Sequence, residues 1–159
     1  MVSESTVASV VGVVVTASFP FYLYGAWYII EAETVTWPVL VRHLQIILVG
    51  LAMNTVPVVT WMVPRLLEKL GGIYALHAVL GLQAYAMLAF ALTGIVRIFQ
   101  AKWQADLYRD PDQDVAIDDL HENMGAWRGR LRLGVVGYVV FWLLAWVVGA
   151  YQYLSTYVL

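Results

Sequence analysis

The chain contains no cysteine, which excludes disulfides, thiolate metal sites, covalent c-type haem attachment and cysteine nucleophiles. Charge is scarce as well: charged residues are 13% and apolar residues 62% of 159 positions, against about a quarter and just under half in an ordinary soluble domain. Several motifs are missing. Without Walker or dinucleotide glycine patterns, ATP-driven work is not expected, and without GxSxG or HExxH neither is a serine or metalloprotease. No carboxylate falls inside an apolar run, because Glu4, Glu31, Glu33 and Glu68 all flank one, which argues against a carboxylate-type proton or sodium carrier. A net charge of −2 gives nucleic-acid binding no support, and the duplicated halves of a secondary transporter are absent.

What the chain has is four long apolar runs, at about 7–30, 39–63, 73–96 and 133–158, and a mean hydropathy of +0.74. A bilayer-spanning helix takes about 20 apolar residues, and each run is long enough. The expectation is a single all-α integral membrane domain over 1–159: an up-down antiparallel bundle of four transmembrane helices with the lipid bilayer as its first partner. The first run lacks a basic leader and exceeds a signal-peptide core in length, so it reads as a permanent helix. It carries an aromatic cluster from Phe19 to Tyr28 that suits an interfacial belt, and Pro20 inside it predicts a kink. The second run stops at Pro64, and Gly71-Gly72 turns the chain tightly into the third.

The stretch 97–132 holds thirteen of the twenty formal charges. After the turn signal Asp110-Pro111-Asp112, apolar residues recur at helical spacing from Ile117 through Leu120, Met124 and Trp127 to Leu131. This predicts an amphipathic interfacial helix over about 114–132, acidic at its start and basic at its end as the helix dipole favours, with Gly134 and Gly137 permitting a bend into the last span. Seven Lys and Arg fall on the side of the long loop, and two, Arg65 and Lys69, on the other. That count places the loop in the cytoplasm and both termini outside the cell membrane. The scarcity of lysine beside arginine, with an Asp-rich loop, resembles proteins of salt-loving archaea.

Each of the three histidines lies at or just before the start of a helix: His43, His77 and His121. His43 shares a helical face with Gly50, Asn54 and Pro57, and His77 shares one with Gly81, Ala84 and Ala91. Small-residue faces are where membrane helices approach one another, so both imidazoles should face the bundle interior. There they could hydrogen-bond a neighbouring helix, or make a haem site beside the small residues. His43 and His77 enter from opposite ends and differ in depth by roughly 18 Å, too far to share an ion. His121 approaches the same end as His43, with Arg128 and Arg132 on its own face as candidate partners for propionates or phosphates, or for anionic lipid. Near His77 the non-histidine metal-ligand candidate is Met62. Asn54 and Gln83 are mid-span amides expected to join helices.

His43-Leu44-Gln45, then Leu76-His77-Ala78-Val79-Leu80-Gly81, then His121 followed by Trp127 and an apolar span ending Gly149-Ala150-Tyr151-Gln152-Tyr153-Leu154 resemble a known pattern. The chain is similar over about 39–155 to small four-helix membrane proteins of unknown function linked to cytochrome oxidase assembly and, more loosely, to small b-type cytochrome bundles. The resemblance implies a multi-pass accessory of a respiratory chain, partnered by its membrane subunits and not itself an enzyme. It would bind haem b through His43 and His121. Two alternatives stay open: a cofactor-free structural subunit or scaffold whose histidines tie helices together, and copper handling at the outer face by His77 and Met62.

Overall fold

The computed structural model describes residues 3–33, 35–69, 71–104, 119 and 121–159. Among these there are helices and no strands. The order is α1 (Glu4–Ala17), α2 (Phe19–Glu31), α3 (Trp37–Pro57), a π-helical turn (Val58–Met62), α4 (Val63–Glu68), α5 (Gly72–Gln104) and α6 (Met124–Tyr157). Joined end to end they make four apolar helices long enough to cross a membrane, Glu4–Glu31, Trp37–Glu68, Gly72–Gln104 and Met124–Tyr157. The predicted turn at Asp110-Pro111-Asp112 and the first part of the predicted amphipathic helix, 114–118 and Leu120, lie outside the described residues.

The first two apolar helices are each interrupted, for reasons that lie in their prolines. Pro20 cannot donate a backbone hydrogen bond, and the chain breaks at Ser18, two residues before it. The Ser18 hydroxyl donates to the Val15 carbonyl at 2.7 Å, and the Ser18 carbonyl accepts from both Phe21 and Tyr22. Ser18 is fully buried, so this joint sits inside the bundle. In the second helix Pro64 does not end the run as its sequence position suggested. The turn before it widens, Val63 N–H bonding to the Val58 carbonyl five residues back, and Pro64 then occupies the first turn of α4, where its missing N–H is harmless. The tight turn into α5 uses Gly72 in the left-handed region, at φ 52°, a conformation that suits glycine.

The bundle is two antiparallel hairpins locked together. In α2 and α3 the close contacts are at Gly25, where a Cβ would stand 2.7 Å from Ile47, and at Gly50, where one would stand 3.0 Å from Phe21. In α5 and α6, buried His77, Ala84, Ala91 and Ile98 recur every seven residues, the period of a left-handed supercoil. Gly94, Gly134 and Gly149 admit the partner helix; a Cβ on Gly134 would stand 2.7 Å from the Ala91 backbone nitrogen. Gly134 and Gly137 therefore serve close approach: α6 is one uninterrupted helix of 34 residues through both of them, and the lead-in to the last span is continuous with it.

Aromatic rings and a short polar chain join the hairpins at mid-height. Trp142 takes the edges of Phe19 and Tyr22, with centroids 4.4 and 5.7 Å away. Tyr22 and Tyr138 share a hydroxyl contact of 3.1 Å, Asn54 donates to the Tyr138 hydroxyl at 3.2 Å, and Tyr85 donates to Thr55 at 3.0 Å. Asn54 thus joins α3 to α6. Gln83, expected to do the same, is instead exposed on the outer face of α5. A second cluster closes the opposite end from the termini, where Leu40, Ile98, Ala101 and Met124 are buried with Trp37 and Trp127 against them. Lys102 is 2% exposed, and its ammonium lies 3.6 Å from the Trp37 ring centroid, a cation–π contact.

Candidate functional site

At the termini end the helices do not close on one another. A cavity of about 760 Å³ remains between α1, the π turn with α4, α5 and α6. That volume lies within the ~300–1,000 Å³ of small-molecule sites. On α1 it is lined by Ala8, Val11, Gly12, Val13 and Val15 with the hydroxyl residues Ser9 and Thr16 among them, and Trp146 and Pro20 line it farthest from the termini. The mouth carries Glu4 and Arg65, paired at 3.3 Å and both partly solvent-exposed; exposed pairs of this kind are worth ~0–1 kcal/mol. Arg65 also lies 4.3 Å from the Trp61 ring centroid, and the Lys69 ammonium 5.6 Å from that of Tyr74.

Between mouth and apolar depth is a polar layer. His77 is 6% exposed, and its Nδ1 is 3.0 Å from the side-chain oxygen of Gln152, to which it donates. Its ring packs against the α6 backbone, where a Cβ on Gly149 would stand 2.9 Å from the imidazole. Trp61 and Gln152 both line the cavity, and their side-chain nitrogens, Nε1 and Nε2, are buried with no hydrogen-bond partner among the described residues. An unsatisfied buried donor costs about 1–3 kcal/mol. Trp61 and Met62 are brought to the cavity by the π turn, a distortion that recurs at functional sites.

The histidines divide between the two ends. His77 and Met62 line the same cavity. His43 and His121 belong to the other end, flanking the cluster of Leu40, Met124 and Trp127, and neither lines the cavity. His43 Nδ1 donates to the Gly25 carbonyl at 2.7 Å, tying α3 to α2 where they are closest. His121 Nδ1 accepts the Asn123 backbone N–H at 3.0 Å, and its ring lies against Trp127 with centroids 4.6 Å apart. With the Nδ1 lone pair engaged, the neutral ring carries its proton on Nε2 and has no lone pair left for a metal. Of the haem pair expected from the resemblance, His43 keeps Nε2 clear, whereas the Nδ1 of His121 is engaged by its own backbone in this arrangement. Arg128 is half-buried and Arg132 exposed. No group of three metal-capable His, Asp or Glu side chains occurs among the described residues. His77 with Met62 supplies two donors of unlike type, fewer than the three or four protein ligands of ordinary transition-metal sites.

Trp61 was not among the residues the sequence singled out, and Gln152 entered only within the pattern at the end of the last span. A signal existed in Pro57 and Pro64, seven residues apart on one apolar run, which cannot both be accommodated in a regular α-helix. Residues 4–158 match the family described as Domain of unknown function (DUF7321), and the chain belongs to that family. No curated protein and no solved structure matches it.

Proposed function

We propose that this family member is a four-span membrane protein that holds a lipophilic small molecule in the cavity at its termini end, as a binding accessory and not as an enzyme. The observation that carries this reading is the cavity itself: about 760 Å³ and lined mostly by apolar and aromatic residues. The count of basic residues, seven to two, supports an orientation with the cavity in the outer half of the bilayer and both termini outside. The histidines act in this reading as hydrogen-bonding ties, His43 between α2 and α3 and His77 between α5 and α6. That role favours the cofactor-free alternative over haem or copper. Beyond lipid, the partners suggested by the resemblance are membrane subunits of a respiratory complex.

The test uses the full chain purified in detergent or nanodiscs and an apolar fluorescent probe, N-phenylnaphthylamine. Saturable binding near one probe per chain is expected. Gly12 lines the cavity and nothing lies within 4 Å of a Cβ there, so Gly12→Trp places a bulky side chain at the site and should weaken binding tenfold or more. Non-saturable partitioning, equal in both proteins, would refute the reading.

A further inference from the structure

We infer that the cavity is entered sideways, through a seam between α1 and α6 that two matching hydrogen bonds clasp shut, and not through its charged mouth. The inference rests on the proposed binding function and concerns how that site is filled and emptied.

The clasp is one arrangement used twice. The Ser9 hydroxyl donates to the Ser5 carbonyl on its own helix at 2.8 Å, so the Tyr153 hydroxyl, 2.7 Å away, is the donor across the seam. Further along, the Thr16 hydroxyl donates to the Gly12 carbonyl at 2.7 Å and accepts the Trp146 indole N–H at 3.1 Å. A hydroxyl carries one proton. In both places α1 spends it on its own backbone, and an aromatic residue of α6 supplies the bond between helices. The two clasps are about 10 Å apart along each helix, and their order reverses from α1 to α6 as it must between antiparallel neighbours.

Between the clasps the seam is unpacked. Its midpoint falls at Gly12 on α1 and Ala150 on α6, both small and both lining the cavity. Nothing lies within 4 Å of a Cβ on Gly12, so α6 leaves a gap there. This is the reverse of Gly134, where a Cβ would stand 2.7 Å from the Ala91 backbone. The hold on α1 is light elsewhere too, since only Ala8 and Val15 of its 14 residues are buried. Inside lipid, helices associate through packing and hydrogen bonds alone. With packing missing at the centre of this seam, the two clasps govern how often it parts.

The mouth is the poorer route. Glu4 and Arg65 pair across it at 3.3 Å, with Lys69 beside them, so an apolar molecule entering there exchanges hydrocarbon for a charged rim. At the level of the seam both helices carry exposed apolar side chains, Val10 and Val13 on α1 and Val147 on α6. On the proposed insertion, the seam therefore opens onto lipid.

The experiment follows uptake and release of N-phenylnaphthylamine by the full-length protein in nanodiscs, read by energy transfer from its tryptophans. The chain has no cysteine, so Ser9→Cys with Tyr153→Cys gives a unique thiol pair for a short bis-maleimide that contains a cleavable disulfide. Linked protein should take up and release the probe at least tenfold more slowly, and reductive cutting of the linker should restore both rates in the same molecules. Tyr153→Phe, which keeps the ring and loses one clasp, should quicken both at least threefold. The inference is overturned if the pair does not link, if linked and cut protein exchange probe alike, or if Tyr153→Phe leaves both rates unaltered. It is overturned in favour of the mouth if Glu4→Gln, which breaks the pair with Arg65, quickens exchange and Tyr153→Phe does not. In each case saturable probe binding by the unaltered protein still upholds the cavity as a lipophilic site. If the probe itself does not saturate, the binding function fails and the side entrance with it.

Discussion

Gly134→Ala is the sharpest probe of how the two long helices meet. A Cβ at Gly134 would stand 2.7 Å from both the Cβ and the backbone nitrogen of Ala91 and 2.8 Å from its Cα. Carbon atoms prefer about 3.5–4.0 Å, and here the obstacle is backbone, so α5 and α6 must part by about 1 Å. Overpacking of this kind costs about 1–3 kcal/mol. Alanine recovers up to ~1 kcal/mol through its better helix propensity, leaving a net loss of about 1–2 kcal/mol. Gly81→Ala on α5 is the matched control, because nothing lies within 4 Å of a Cβ there; it should be neutral or gain up to ~1 kcal/mol. Gly137→Ala should fall between them, since its obstacle is the flexible end of Met87. Unfolding of the purified protein in mixed micelles of rising sodium dodecyl sulfate fraction gives the three stabilities side by side. If Gly134→Ala matched Gly81→Ala, the helices would not be in the register described, and the seven-residue packing of α5 would have to be abandoned.

Two further outcomes follow from side-chain hydrogen bonds. His43→Ala should lose about 0.5–1.5 kcal/mol with the bond to Gly25, measured by the same titration, and protein expressed with ample haem should show no Soret band that depends on His43 or His121; a band lost in both alanine variants would reinstate the haem pair. Tyr138→Phe should be more destabilising than Asn54→Leu, because the first strands both Asn54 Nδ2 and the Tyr22 hydroxyl, whereas the second also removes the buried, unpartnered Asn54 oxygen.

The four apolar runs were legible because transfer to an apolar medium depends on composition over about 20 residues, and that is visible without coordinates. The inward faces of two helices were legible too: Gly50 and Asn54 are buried on the stripe of His43, and Ala84 and Ala91 on the stripe of His77. Hydropathy failed where backbone geometry or partner contacts decide. The third run was expected to end near 96, but Ile98, Ala101 and Lys102 are buried against neighbouring helices and the helix continues to Gln104. Pro64 looked like a terminus because a lone proline is hard to place inside a helix; a π turn that passes the hydrogen bond one residue further back resolves the conflict. The cavity was invisible for a related reason. It lies between helices far apart in sequence, and the space left between them is not a property of any single residue's polarity.

The cluster beneath Trp37 gives the molecule two solvents. Helices α5 and α6, of 33 and 34 residues, are each about 50 Å long, while the hydrocarbon of a bilayer is about 30 Å thick. On the proposed insertion, the stretches carrying Ile98, Ala101, Met124 and Trp127 stand clear of lipid and fold against Trp37 and Leu40 in water. Burial there releases ordered water and carries a heat-capacity change, whereas helices inside lipid associate through packing and hydrogen bonds. Cooling weakens only the first of these forces. The water-side cap should therefore loosen in the cold while the intramembrane bundle holds, so that amide hydrogens around 98–104 and 124–131 exchange faster near freezing, relative to those around 84–91, than at room temperature.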